Sequence, residues 1–405
     1  MLKKVAYLLI IYLLFLTACQ SSDLPVTNSF IFFTFEGHDN WEIWRMNRDG
    51  TSPNLIYKIP HKLDFLSAQQ QKIISPEIAN TLKNDKYTPL KDNSLLMPEL
   101  LNITLSPNKH FLALFEILFQ CREDSCHIEG NFIQFTIKIL DLETNTIIAT
   151  FTTSDYVGSP SWSPDSKYVV FDQSPSDRYT VEQTSQIILL NVQNSEYTKL
   201  GLGSEPSFSK NENRIVSYKL TDKFLTSCCQ VINLPEKTIK DVVATQPDTF
   251  SIVLSPNGKT IAGLTRKEQD NYPFLVDLDT SHNQILDAPL KENSLGNNII
   301  KWSPDGRHLS VSTIDPLMVT VLDLSGNIQL SLENVYDWEW SNSGDQILYI
   351  RRYNNGCRQV EPYFYTITLA NKNVSRIDLP PSIKKYLSLK VFEMACYTGI
   401  GSVTW

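Results

Sequence analysis

The chain has 405 residues, 20% of them charged, and a formal net charge of −8 at pH 7. An acidic chain without a basic run argues against nucleic acid as a partner. With 42% hydrophobic residues, a chain of this length can bury a large core in a single closed fold.

The first 18 residues have the pattern of a bacterial lipoprotein signal peptide. Lys3 and Lys4 precede an uncharged stretch, residues 5–16, and Leu16-Thr17-Ala18-Cys19 matches a lipobox. The stretch is too short for a spanning helix, which needs about 20 residues; an uncleaved anchor with an incidental cysteine is the alternative. We expect acylation of Cys19, a tether over residues 19–29 that attaches the protein to a membrane, and a location in the cell envelope, periplasmic or at the surface.

A short hairpin motif recurs along the chain. Its fullest copy is Ile300-Lys301-Trp302-Ser303-Pro304-Asp305-Gly306, where alternating apolar residues end at a turn in which proline fixes φ and glycine tolerates positive φ. The turn serines of the six copies are Ser106, Ser163, Ser209, Ser255, Ser303 and Ser341, at intervals of 57, 46, 46, 48 and 38 residues. Such a period is typical of four-stranded propeller blades.

A second motif, a strand followed by a hairpin turn, occurs seven times. Its first copy, Trp44–Gly50, has no Trp-Ser-Pro hairpin before it, whereas Gly401–Trp405 looks like the opening of a repeat. Pairing this segment with Phe30–Phe35 would complete a seventh blade and remove the open sheet edge. The sequence therefore predicts an all-β fold over residues 30–405: a seven-bladed β-propeller of four-stranded antiparallel blades, closed by a strand at 400–405.

These units resemble the PD40 or TolB-type (WD40-like) repeats of bacterial propellers. The resemblance covers residues 30–59 and 101–405 and includes the hairpin Asn40–Thr51. It implies the fold, but the family includes both binding scaffolds and the propeller modules of peptidases. TolB-like relatives bind protein partners at a propeller face. Because the sequence shows no counterpart of their N-terminal α/β domain, the same partner is not carried over.

The connections between strands indicate a functional face. Turns between first and second strands, and between third and fourth, are short. The connections on the opposite face, here called the long-loop face, are expected to be long: Glu116–Asn131, Asp172–Ser185, Lys219–Ser227, Arg266–Tyr272, Arg351–Pro362 and the 61–101 insertion between blades one and two. Within that insertion, Ser67–Leu82 has helix-like spacing. Because loops on rigid scaffolds commonly carry binding residues, we expect a ligand at this face and its central funnel. Neutral insertions are the alternative.

Six cysteines follow Cys19, and an even number in an exported chain suggests disulfides. The candidates are Cys121, Cys126, Cys228, Cys229, Cys357 and Cys396. The first two bracket one loop and are expected to pair locally. The last two flank the outer strand of the final blade and are expected to bridge it to the segment before the closing strand. The vicinal pair can bond to each other, pair elsewhere or stay free.

Catalytic motifs are not found. Gly201-Leu202-Gly203-Ser204 lacks the spacing of a nucleophile elbow, and the six histidines include no pair at metal-ligand spacing. We expect no catalytic residue, cofactor or metal. Turn capping is expected of Asp141, Asp277 and Asp323, and packing between blades of Trp162, Trp302 and Trp340.

The leading hypothesis is a non-catalytic envelope lipoprotein whose propeller is a binding scaffold for a protein or an envelope glycan. The alternative is a propeller hydrolase or lyase acting on extracellular polymer or peptide, with carboxylates from separate blades meeting in the funnel. Funnel carboxylates with raised pKa values would favour the enzyme. A structural role within a larger envelope complex is a third possibility.

Overall fold

The computed structural model describes residues 30–36, 40–60, 63–64, 95–121, 131–175, 185–219, 228–234, 236, 238–243, 249–268, 270–291, 299–314, 317–352, 360–378, 381 and 400–404. In these residues the chain forms β-strands in seven antiparallel sheets arranged as a ring. The fold is the expected seven-bladed β-propeller.

The strands of the first three blades follow in chain order. Blade 1 contains β1 (Phe30–Glu36), β2 (Asn40–Asn47) and β3 (Asn54–Pro60). Blade 2 contains β4 (Leu63–Asp64), β5 (Leu95–Leu105), β6 (Phe111–Cys121), β7 (Asn131–Asp141) and β8 (Thr146–Thr153). Blade 3 contains β9 (Tyr156–Val157), β10 (Ser161–Trp162), β11 (Tyr168–Ser174), β12 (Gln186–Asn191) and β13 (Tyr197–Leu202).

The remaining blades repeat this order. Blade 4 contains β14 (Ser204–Phe208), β15 (Arg214–Tyr218), β16 (Cys228–Asn233) and β17 (Thr238–Val243). Blade 5 contains β18 (Thr249–Leu254), β19 (Thr260–Lys267), β20 (Asp270–Asp277), β21 (Asn283–Ile285) and β22 (Leu290–Lys291). Blade 6 contains β23 (Ile300–Trp302), β24 (His308–Ile314), β25 (Leu317–Asp323) and β26 (Ile328–Glu333). Blade 7 contains β27 (Val335–Trp340), β28 (Gln346–Arg352), β29 (Val360–Thr368) and β30 (Val374–Asp378).

The ring is closed by the C-terminal strand, β31 (Ile400–Thr404). It pairs antiparallel with β1, with Phe33 opposite Val403 and Phe35 opposite Ile400. The first blade is therefore built from both ends of the described chain, as the count of repeats predicts. This pairing covers the edge of β1 that would otherwise be open.

The recurring serine explains why the hairpin motif repeats. In blade 3 the Ser163 hydroxyl donates to Asp165 Oδ1 at 2.7 Å and accepts the backbone N–H of Tyr168 at 2.9 Å. The same pair of bonds forms at Ser106, Ser255 and Ser303, with Asn or Asp as the acceptor. Each turn thus satisfies a backbone donor and fixes the start of the second strand.

Adjacent blades are held together by the motif tryptophans. The Trp162 indole N–H donates to the Thr104 carbonyl of blade 2 at 3.0 Å, and the Trp340 indole donates to the Ser310 hydroxyl of blade 6 at 2.9 Å. Trp302 makes a longer contact, 3.4 Å, with the Val253 carbonyl of blade 5. The expected packing role of these three residues is confirmed.

The turn aspartates have the expected capping role. Asp141 Oδ1 accepts the backbone N–H groups of Glu143 and Thr144, at 2.8 and 3.0 Å. Asp277 and Asp323 cap the equivalent turns of blades 5 and 6 in the same way. Hydrogen bonds lower the pKa of each carboxyl, since they stabilise its charged form; at Asp323 the largest contribution comes from the Asn327 side-chain amide, which donates to Oδ2 at 2.9 Å.

Two expected loop boundaries are wrong. Arg266–Tyr272 is a tight hairpin, because β19 and β20 continue pairing until Lys267 lies opposite Asp270. The polar residues there belong to the paired ends of β19 and β20, and Asp270 and Asn271 also pair with β22. The 61–101 insertion ends earlier than expected: β5 begins at Leu95, with Leu96 and Leu100 buried. Pro98 and Glu99 interrupt the apolar pattern by which that strand would be recognised.

Parts of the other long connections are also strand. Glu116–Cys121 belongs to β6, and Asp172–Ser174 to β11. The expected helix at Ser67–Leu82 lies outside the described residues. Within the described part of the chain, no helix is long and apolar enough to cross a membrane.

Candidate functional site at the central channel

The first strands of the blades surround the axis of the ring. These strands, β31, β5, β10, β14, β18, β23 and β27, each pair on one edge with the second strand of their blade. First strands of neighbouring blades also contact each other, as in β31 with β5, β14 with β18 and β18 with β23. The other edges of these strands therefore face a central channel, except at Leu95 and Leu96 of β5, where β4 pairs with that edge.

Five of the first strands contain a β-bulge. The registers of β31, β5, β14, β18 and β27 against their second strands all shift near the middle or start of the strand. A bulge leaves a residue unpaired and turns its side chain away from the regular alternation. Because these strands begin at the long-loop face, most of the bulges lie near that mouth of the channel. Glu205 and Ser251 occupy bulges in the left-handed region, at φ 49° and 53°.

Large apolar side chains stand exposed on this inner edge. Leu101 occupies the bulge of β5 and is 39% exposed, and Tyr336 occupies the bulge of β27 and is 40% exposed. Ile299 precedes β23, bonds to Ser312 of the second strand and is 48% exposed. Together with Glu205 and Ser251, these residues form what we call the channel belt. Its apolar members come from blades 2, 6 and 7.

The same mouth also carries acidic groups, from blades 2, 3 and 4. Glu205, in blade 4, is exposed, yet the surrounding wall desolvates its carboxyl and raises its pKa. Glu99, in the first strand of blade 2, has its pKa raised by the same cause. Asp172, on the second strand of blade 3, is buried; burial and the negative charge of Glu205 raise its pKa to about 6.

Asp172 is enclosed by blade 3 itself. Its Oδ1 atom makes no hydrogen bond and packs against Gly158, where an added Cβ would come within 2.1 Å of that oxygen. Gly158 also donates its backbone N–H to the Asp172 carbonyl at 2.9 Å. Any side chain at position 158 would displace the carboxyl. The group is therefore a buried carboxylic acid beside the channel.

The opposite mouth, at the short turns, carries basic groups. Lys109 lies at the turn of blade 2 and Lys210 at the turn of blade 4; desolvation lowers the pKa of both, and for Lys210 the charge of Glu339 opposes that effect. Lys301 donates to Glu339 Oε2 at 2.9 Å and to the Trp338 carbonyl at 2.7 Å, which links blades 6 and 7. Glu339 thus offsets part of the positive charge at this mouth.

The sequence-derived site residues are mostly not tested by this geometry. Cys19 lies outside the described residues, as do Cys126, Cys357, Cys396 and the side chains of Cys121 and Cys228. Cys229 is buried on β16. The proposed disulfides and the acylation stay predictions. Among the described residues, no group of three or more histidines, cysteines, aspartates or glutamates could hold a metal ion.

The channel belt is a feature that sequence patterns do not show. A bulged residue breaks the alternation used to recognise a strand, and Glu205 and Ser251 follow no turn motif. The one available signal is the position of these residues, four or five before the turn serine of their blade, and it is not distinguishable from ordinary strand ends.

No family model matches the chain, and no curated protein matches it. Solved structures do. They include two TolB structures. TolB from Acinetobacter baumannii is 14% identical with a TM-score of 0.43, over 74% of this chain and 62% of that chain. A protein assigned as TolB in Agrobacterium tumefaciens is 15% identical with a TM-score of 0.42, over 60% of this chain and 87% of that one.

A chain of the nidogen–laminin complex is 13% identical with a TM-score of 0.39, over 66% of this chain and 94% of that one. The protein described here spans less than two thirds of the length of the Acinetobacter TolB chain. At these identities the similarity concerns the fold alone.

Proposed function

We propose that the protein is a non-catalytic cell-envelope lipoprotein that binds its ligand at the mouth of the channel on the long-loop face. The lipobox at Cys19 supports the location outside the cytoplasm, and the closed ring supplies the rigid scaffold. The ligand is a protein segment or an envelope glycan.

The observation that carries the proposal is the channel belt. Leu101, Ile299 and Tyr336 expose large apolar surfaces on the inner strands, where a propeller without a ligand gains nothing from them. The same mouth carries the charge of Glu205. A mouth with both exposed apolar side chains and acidic groups suits a segment that has apolar and basic or hydrogen-bonding side chains, which favours a peptide over a uniformly polar glycan.

A photo-crosslinking experiment tests this assignment. Benzoylphenylalanine is placed at Tyr336, in the belt, and separately at Leu202, which is 46% exposed at the outer end of blade 3 on the same face. Both variants are irradiated in the native envelope. A discrete protein joined at position 336 and absent at 202 is the expected result.

Substitution of the belt provides a second readout. Leu101→Asp combined with Ile299→Asp should abolish the adduct at position 336, whereas Leu202→Asp should leave it intact. Adducts of equal yield at both positions, or recovery of lipid alone, would refute the channel as the binding site. Recovery of glycan alone would select the glycan form of the proposal.

The enzyme is a second candidate, favoured by one observation. A general acid must be protonated near the working pH, and Asp172, with its pKa raised to about 6, meets that condition beside the ionisable Glu205. Access counts against it, because Asp172 is only 5% exposed and its Oδ1 is enclosed against Gly158. We therefore place binding first.

Turnover assays separate the two functions. The purified protein is incubated with peptidoglycan, envelope polysaccharide and peptide mixtures, and the products are followed by mass spectrometry. The binding proposal expects no turnover. Turnover that is lost in both Asp172→Asn and Glu205→Gln would establish the enzyme instead.

A further inference from the structure

The described chain enters the ring at the short-turn face. Phe30, the first residue of β1, lies opposite Asn47, the last residue of β2. Asn47 opens the turn between β2 and β3, so Phe30 stands beside that turn. In blade 2 the same geometry places Phe111, after the first turn, opposite Asp141, before the second. Both kinds of short turn therefore share one face with Phe30.

Few residues separate this entry point from the proposed lipid. Ten residues lie between Cys19 and Phe30. A flexible chain of that length has a root-mean-square span of about 20 Å. A seven-residue strand such as β1 is itself about 23 Å long. To bring the long-loop face to the membrane, the tether would have to run the whole length of the blade, which is more than its root-mean-square span. The short-turn face is the one that the tether holds near the bilayer.

That face carries an apolar side chain at the start of every outer strand. In each blade, one of the first three residues after the turn into the outer strand is a large hydrophobic residue that is 37–57% exposed. We call these seven residues the turn-face rim: Leu55, Ile147, Tyr197, Ile239, Ile285, Ile328 and Val374. Part of this apolar surface packs between blades, since the Tyr197 ring lies edge-on to Phe151 of blade 2 at 5.3 Å, yet each of the seven side chains stays more than a third exposed.

Charges on the same face are largely balanced. Basic residues occur at five of the first turns, and three of them contact an aspartate on the same face: Lys167 with Asp165, Lys259 with Asp279 and Arg307 with Asp305, at 3.5–4.0 Å. The turn aspartates are further held by backbone N–H groups. The surface therefore offers an apolar rim without a strong net field, which suits a phospholipid interface better than a charged macromolecule.

We propose that the turn-face rim rests on the phospholipid surface of the membrane, so that the long-loop face and the channel mouth point away from it. The inference rests on the proposed lipoprotein. It adds an orientation: the lipid holds the protein, and the rim determines which face remains accessible to a partner.

Two positions on one strand test the orientation. Tyr197 begins β13 at the short-turn face, and Leu202 ends the same strand at the long-loop face; both are about half exposed. Benzoylphenylalanine is placed at each position in the acylated full-length protein. The proteins are reconstituted into vesicles of phosphatidylethanolamine and phosphatidylglycerol, irradiated, and analysed for phospholipid adducts.

The expected result is several-fold more phospholipid adduct at position 197 than at 202. Ile239→Asp with Ile328→Asp should lower the adduct at 197 without releasing the protein from the vesicles. Equal adducts at both positions, or more at 202, would overturn the orientation. The mass of the mature N-terminus is measured separately: an unacylated Cys19 would instead refute the lipoprotein on which the inference rests.

Discussion

Lys138→Met is expected to destabilise the junction of blades 1 and 2. The Lys138 ammonium on β7 donates to Glu116 Oε2 at 2.6 Å and to the Tyr57 hydroxyl of blade 1 at 3.2 Å. The Glu116 and Lys138 side chains are only 6% and 15% exposed. Burial raises the pKa of Glu116 even with Lys138 present. Burial lowers the pKa of Lys138, but the charges and hydrogen bonds of Glu116 and Tyr57 together exceed that effect, and the pKa of Lys138 is raised. Removal of the lysine leaves a buried carboxylate without its counter-charge.

The expected loss of unfolding free energy depends on whether the Glu116 carboxylate takes up a proton. Breaking a buried pair by deleting one partner costs about 3–5 kcal/mol. Glu116 can instead take up a proton, which at pH 7 costs about 3.4 kcal/mol for a carboxyl with an ordinary pKa of 4.5. At pH 5 the same protonation costs about 0.7 kcal/mol. We therefore expect a loss of about 3 kcal/mol at pH 7 and under about 1.5 kcal/mol at pH 5.

The sign is set by the raised pKa of Glu116 in the folded variant. Because the folded state then binds the proton more tightly than the unfolded state, the variant is most stable below the ordinary pKa of 4.5. It loses stability as the pH rises towards the folded value. Urea unfolding followed by circular dichroism at pH 5 and pH 7 measures both values.

Two controls separate this effect from a general loss of a surface lysine. Lys219 pairs with Asp241, but their side chains are 39% and 55% exposed, so Lys219→Met should cost about 0–1 kcal/mol at either pH. Glu116→Leu added to Lys138→Met removes both charges and should restore most of the stability. If Lys138→Met costs no more than Lys219→Met, or costs the same at both pH values, the reasoning is refuted.

Three further predictions concern the channel and the ring. Asp172→Asn should stabilise the protein by about 1–3 kcal/mol at pH 7. In the wild type, stability is lost as the pH rises from about 4 to 6, because the pKa of Asp172 is raised in the folded state, and the substitution should remove this loss. Unfolding curves measured across this pH range check the prediction, and Glu205→Gln should shift the wild-type loss to lower pH. Ser310→Ala removes the hydroxyl that accepts the buried indole N–H groups of Trp338 and Trp340, at 3.0 and 2.9 Å, and should lower the free energy of unfolding in urea by about 2 kcal/mol. Ser331→Ala, at an exposed position, is the control and should cost about 0.5 kcal/mol or less. Val403→Pro disrupts the closing strand and should lower the melting temperature; an unchanged melting curve would contradict closure by β31.

Much of the fold was predictable because each blade repeats the same local physics. The Ser163 and Ser303 turns form hydrogen bonds that any chain with that motif would form, and the motif spacing then gives the number of blades. The closing pair of β1 and β31 followed from counting, since one blade lacked its first strand. The sequence did not predict the strand ends at Arg266–Tyr272, where β19 and β20 continue pairing through polar residues. A polar stretch without apolar alternation is expected to be a loop, although here it is a hairpin.

The channel belt could not be predicted for a different reason. Leu101, Glu205 and Tyr336 are separated by more than 100 positions in sequence, and they meet only because three blades direct bulged strands at one axis. The raised pKa of Asp172 likewise depends on Glu205 from the next blade and on the absence of a side chain at Gly158. In a closed repeat fold, the repeated contacts and the residues that differ between blades therefore differ in how well the sequence predicts them. The contacts that recur in every blade define the ring and can be recognised in the repeats, whereas the residues that differ between blades at the axis come together only when the ring is assembled.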